Sequence, residues 1–152
     1  MLKRLKNIVI TQLTQGAHPR GLALSCSVAF VFGVIPLMGT TTLLCLLIGP
    51  LFKVNQPLTQ FLNYLLYPLQ IFMIPVFLRM GEWILGAKQL VINPLEMVKQ
   101  FAAGPGAFLS QYWIVGVHAL LAWILVAPIL GILVYFLARP VFEGVAARIR
   151  NP

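Results

Sequence analysis

Residues 21–52 read GLALSCSVAFVFGVIPLMGTTTLLCLLIGPLF, with no Asp, Glu, Lys, Arg or His between Arg20 and Lys53. A single helix of this length would run about 48 Å, well beyond a hydrocarbon core of about 30 Å. Two complete crossings would need about 40 residues plus a turn, more than the stretch holds. Gly33, Pro36 and Gly39 stand at its middle, where proline removes a backbone donor and glycine frees the backbone. A break there leaves two arms of about 20 Å each. The stretch therefore predicts a re-entrant or bent helical hairpin over residues 21–53, entering and leaving a bilayer on one side. Backbone groups freed at such a turn must be covered by other helices or by a water-filled cavity.

The rest of the chain supports that class. Of 152 residues, 60% are hydrophobic and only 9% charged, where a soluble domain carries about a quarter charged residues. This points to an all-α integral membrane protein of one domain, 1–152. The net charge of +8 comes from eleven basic and three acidic residues. The basic residues lie between apolar runs, as the positive-inside bias and attraction to anionic headgroups require. No basic patch with interleaved aromatics argues for nucleic acid. Cys26 and Cys45 form no Cys-x-x-Cys and read as small, reduced apolar residues.

Outward from the hairpin, residues 1–15 form an amphipathic pattern: Leu2, Leu5, Val9 and Leu13 recur at helical spacing among Lys3, Arg4 and Lys6. A helix on the cytoplasmic membrane surface is expected, with a disordered basic leader as the alternative. His18 sits in a Pro/Gly turn, without partners at metal spacing. In the first arm, Ala23, Ser25, Cys26, Ser27 and Ala29 are small and suit close helix packing. In the second, the hydroxyls of Thr40, Thr41 and Thr42 are placed to cap the arm or to bond freed carbonyls.

The pattern Pro19-Arg-Gly-Leu-Ala-Leu24, followed by Phe32-Gly33-Val-Ile-Pro36-Leu-Met-Gly39-Thr40, resembles the bacterial domain-of-unknown-function family 2062. Asn55-Gln56-Pro57, Asn63, Pro68, Pro75 and Gly81 resemble its second block, so the likeness covers about residues 16–86. At Asn63-Tyr64 the chain departs from the family's Asn-Pro pair. The resemblance implies a bacterial inner-membrane setting and, through relatives joined to glycosyltransferase domains, lipid-linked envelope chemistry. It implies no defined activity.

A second kinked transmembrane helix is expected over 57–80, bent at Pro68 and Pro75. Gln56, Gln60, Asn63, Tyr67 and Gln70 fall on one face of it. Amides in hydrocarbon must be bonded, so this face turns inward, either as glue between helices or as a polar track for a headgroup. Arg79 and Glu82 are expected to form an exposed pair. Residues 87–106 read as an interfacial loop with a short helix from Pro94 to Ala103, ended by Gly104-Pro105-Gly106. The third membrane element is a kinked span over 108–138, within a segment 107–152 that closes on a basic cytoplasmic tail with Arg139, Arg148 and Arg150.

Catalysis finds little material. Glu82, Glu96 and Glu143 are far apart, and no Asp exists for a Ser-His-Asp set. No metal or cofactor is expected. His118, alone in the last apolar run, reads as a neutral side chain bonded to a neighbouring helix. Two function classes remain. One is a small inner-membrane transporter or translocator, with Thr40, Thr41, Thr42, Gln56, Gln60, Asn63, Tyr67 and Gln70 lining a polar path at the hairpin tip. The other is a non-catalytic scaffold or accessory subunit of an envelope or glycosyl-transfer system. Either one calls for self-association or a membrane partner, because so few helices enclose little. Asn63 or Gln70 is expected to approach the hairpin tip.

Overall fold

A computed structural model describes residues 18–37, 39–88 and 94–150. The amphipathic segment 1–15 lies outside the described residues. Every regular element among them is helical: α1 (Pro19–Gly33), α2 (Thr41–Ile48), α3 (Gln56–Leu65), α4 (Tyr67–Ile84), α5 (Pro94–Ala103) and α6 (Pro105–Arg150). α1 ends at Gly33 and α2 begins at Thr41, so the chain breaks across the Gly33, Pro36 and Gly39 segment. Gly39 has φ +83° with open space around it, a left-handed conformation that side chains resist. α2 is shorter than the second arm predicted, because its ladder stops at Ile48 and the chain turns through residues 49–53.

α3 starts beside the first half of α1. The backbone N–H of Asn55 donates to Ser25 Oγ at 2.8 Å, and that hydroxyl donates to the Gly21 carbonyl at 2.7 Å. Asn55 also caps α3, accepting from the Leu58 N–H at 3.0 Å. At the far ends of the two helices, a Cβ added to Gly33 would lie 3.1 Å from Leu66 Cδ1. α1 and α3 therefore run parallel and close, along a stripe of buried small residues that includes Ala23, Ser25, Ala29 and Gly33.

The kinked helix expected over 57–80 is two helices, α3 and α4, meeting at 65°, a broken span or a re-entrant turn by length and composition. The bend falls at Leu66, two residues before Pro68, which occupies the first turn of α4. Pro68 has no N–H to give to the Tyr64 carbonyl one turn back, so the ladder of α3 cannot run through it. Pro75, by contrast, lies within α4, which continues to Ile84.

α5 has the predicted bounds. α6 departs from prediction by its length: it holds 46 residues, runs through Pro128 and Pro140, and includes the basic segment expected as a tail. At this length it extends about 69 Å. Its stretch Tyr112–Ala147 is the one helix long and apolar enough to cross a membrane among the described residues, with α3 and α4 together a second if they count as one broken span.

α6 touches both halves of the molecule. Its first half meets α4, where Phe77 and Leu78 pack with Val115, Ala119 and Ala122, and Val34 closes the cluster from the break. A Cβ added to Gly81 would overlap the carbonyl oxygen of His118, so glycine is what lets α4 and α6 cross backbone to backbone. Its second half runs antiparallel to α1. Trp123 Nε1 donates to the Val31 carbonyl at 2.9 Å, and Ser27 Oγ donates to the Gly131 carbonyl at 2.7 Å.

Candidate functional site

The amide side chains of α3 and α4 form a ladder along the inner side of α2 and the break. Gln56 Nε2 donates to the carbonyls of Cys45 and Leu46, at 3.4 and 3.5 Å. Gln60 Nε2 donates to the Thr42 carbonyl at 3.2 Å, and Asn63 Nδ2 donates to Thr42 Oγ1 at 3.3 Å. Gln70 Nε2 donates to the Ile35 carbonyl, within the break, at 2.8 Å. Asn63 thus meets the Thr segment and Gln70 meets the break, as their spacing along the sequence predicts. Three of the four donors serve backbone carbonyls and the fourth, Asn63, serves the Thr42 hydroxyl. The Cys45 carbonyl also accepts from the Gly49 N–H at 3.0 Å, whereas Ile35 lies in the interrupted turn, where the helix ladder leaves carbonyls free.

The carbonyl ends of the same amides are different. Among the described residues, Gln56 Oε1, Gln60 Oε1, Asn63 Oδ1, Gln70 Oε1 and Thr41 Oγ1 are buried with no hydrogen-bond partner. Rotating the glutamine amides would not help, since each NH2 faces a carbonyl that only a donor can satisfy. The ladder is donor-satisfied on one side and acceptor-rich on the other. Its unmet requirement is for N–H or O–H groups, at a cost of about 1–3 kcal/mol for each acceptor left bare.

The remaining predicted residues are placed less centrally. Thr40 donates back to the Leu37 carbonyl at 2.9 Å, helping to close the break. Tyr67 opens α4 half-buried, and its hydroxyl makes no hydrogen bond to the ladder among the described residues. The 65° bend carries it away from the face it would share with Asn63 on a straight helix. Both cysteines are free.

Glu82, expected from sequence to be half of an exposed pair, is buried. It is 1% exposed and accepts from Arg79 Nη1 at 3.0 Å, while Arg79 remains 46% exposed. A charge beside Trp83 reads from sequence as a surface group. Its burial follows from the close crossing at the adjacent Gly81, the only local signal that could have revealed it. No group of three or more His, Cys, Asp or Glu able to hold a metal occurs among the described residues.

A family model described as "Uncharacterized protein conserved in bacteria (DUF2062)" matches residues 2–150, extending the likeness seen over 16–86 to nearly the whole chain. No curated protein and no solved structure matches it.

Proposed function

Because the chain belongs to this bacterial family, we propose that it is a small polytopic inner-membrane protein that passes a polar or lipid-linked envelope substrate along the amide ladder. α6 is the principal crossing. From Trp113 to Arg139 it rises about 39 Å, close to the about 40–45 Å of a bilayer with its headgroup layers. Only 11% of its most apolar window is buried inside the protein, which favours lipid over water around it. α3 and α4 make the second, broken crossing. α1 and α2 are the re-entrant pair, each shorter than the hydrocarbon core. Trp83 and Trp113, both largely exposed, mark the periplasmic interface. Arg20, Lys53 and Arg139 mark the cytoplasmic one.

The observation that carries the transport reading is the row of buried acceptors without partners, from Gln56 to Gln70. A row of acceptors suits a visitor rich in hydroxyl or amine donors, such as water or the sugar of an envelope precursor. The scaffold reading rests on the opposite side of the ladder, where the three glutamine amides bond backbone carbonyls of α2 and the break and Asn63 bonds the Thr42 hydroxyl. The two differ in whether Gln60 and Asn63 meet water. Gln60→Cys in a Cys26→Ser/Cys45→Ala background should react with a membrane-impermeant thiol reagent. A folded protein that stays unlabelled from both membrane faces would reject the path and leave the scaffold.

A further inference from the structure

A cleft opens on a different face of α1 from the one that packs on α3. It holds about 490 Å3 between α1 and α6, walled by Leu24, Val28, Val31, Ala127 and Ile132 and closed at its inner end by Trp123. The polar groups along it are already engaged, Trp123 Nε1 with the Val31 carbonyl and Ser27 Oγ with the Gly131 carbonyl. The cleft is therefore apolar in chemistry as well as in composition. At its outer end it shares Leu24 and Phe52 with a second cleft of about 380 Å3, whose lining includes His18, Arg20, Lys53 and Tyr135. Among the described residues no acidic side chain lines either cleft. Lys53 is the one non-glycine residue with positive φ (51°) among the described residues, a conformation residues other than glycine adopt at a cost and often at functional positions.

From this continuity we infer that the α1–α6 groove is a binding site for one anionic phospholipid, with an acyl chain along the groove and the phosphate at Arg20 and Lys53. The dimensions suit the occupant. From Arg20 to Val31 α1 rises about 17 Å, close to the about 15 Å depth of one hydrocarbon leaflet. The basic mouth lies at headgroup level if the groove spans that leaflet. Tyr135 adds a phenol hydroxyl as a further donor to phosphate oxygens. A soluble phosphate would use only the mouth and leave the groove unexplained; an uncharged lipid would use only the groove.

The test is lipid retention by the purified, delipidated full-length protein, counted by native mass spectrometry with phosphatidylglycerol, phosphatidylethanolamine or glycerol 1-phosphate supplied separately. Retention of a single phosphatidylglycerol, in clear preference to phosphatidylethanolamine and with no binding of glycerol 1-phosphate, is expected. Arg20→Gln/Lys53→Gln should weaken phosphatidylglycerol binding about thirtyfold, the strength of two interfacial basic groups. Ile132→Trp, on the exposed rim, should fill the groove and abolish retention with the basic mouth intact. It also serves if the double variant does not fold. Equal retention of the two lipids, competition by glycerol 1-phosphate, or full retention by a folded Ile132→Trp would each overturn the site.

Discussion

Gln70 and Ile35 are joined by a hydrogen bond of 2.8 Å from the side-chain amide to the backbone carbonyl, which fastens the first turns of α4 to the break between α1 and α2. Gln70 is fully buried, so nothing else described replaces its donor. Gln70→Leu leaves the Ile35 carbonyl bare but also removes the unpartnered Gln70 Oε1; a net destabilisation of about 1 kcal/mol, from the lost hydrogen bond, is expected. Thermal unfolding in detergent measures this. A Tm equal to that of the wild type would mean that the carbonyl finds another donor.

Gly81 and Gly116 lie on the two helices that cross, α4 and α6, but only Gly81 sits at the contact. A Cβ at Gly81 overlaps the His118 carbonyl, whereas a Cβ at Gly116 meets nothing within 4 Å. Gly81→Ala should therefore cost about 3 kcal/mol or more, by forcing two backbones apart. Gly116→Ala should be neutral or stabilise by about 0.5–1 kcal/mol, through helix propensity alone. Comparing the Tm of the two variants checks the crossing directly.

Gly49 and Gln56 should show coupling. A Cβ at Gly49 would collide with Gln56 Nε2 and come within 2.7 Å of the Cys45 carbonyl that this amide serves. Gly49→Ala should be less harmful in a Gln56→Ala background than in the wild type. A double-mutant cycle on unfolding free energy should give a coupling of about 1 kcal/mol. Strict additivity would place the glycine requirement on the Cys45 backbone alone.

Topology is testable from the two ends of the long helix. A reporter fused after Lys88 should be active only in the periplasm, and one fused after Pro152 only in the cytoplasm, following the basic residues. Identical sidedness of the two fusions would remove the crossing by α6.

The legible parts of this fold are those where local chemistry alone decides. Gly33, Pro36 and Gly39 cannot continue a helix together, and the chain breaks among them; Gly104 likewise ends α5 where expected. The amide ladder was readable because Gln56, Gln60 and Asn63 recur at helical spacing in apolar surroundings. What was not readable depends on partners. A bend at Pro68 is expected from sequence, but not its 65° sharpness or its place at Leu66, two residues earlier, since Pro68 acts on the carbonyl one turn behind it. The span over 108–138 is expected to end in a basic tail, yet α6 runs as one helix through Pro128 and Pro140 to Arg150. Glu82 looks like a surface charge until the Gly81 crossing buries it.

The dual contact of α6 also has a consequence for synthesis. α6 follows every other described helix in the chain, yet it supplies the partner faces of both α1 and α4. Until the ribosome releases it, the Ser27 hydroxyl lacks its acceptor and the Phe77–Leu78 face keeps only Val34 of its buried cluster from outside α4, and α1 and α4 are linked chiefly by the bend at Leu66 and the single bond from Gln70 to Ile35. Translation arrested before Trp113 should thus yield chains that membrane quality control removes, and the protein should be acquired as a whole or not at all.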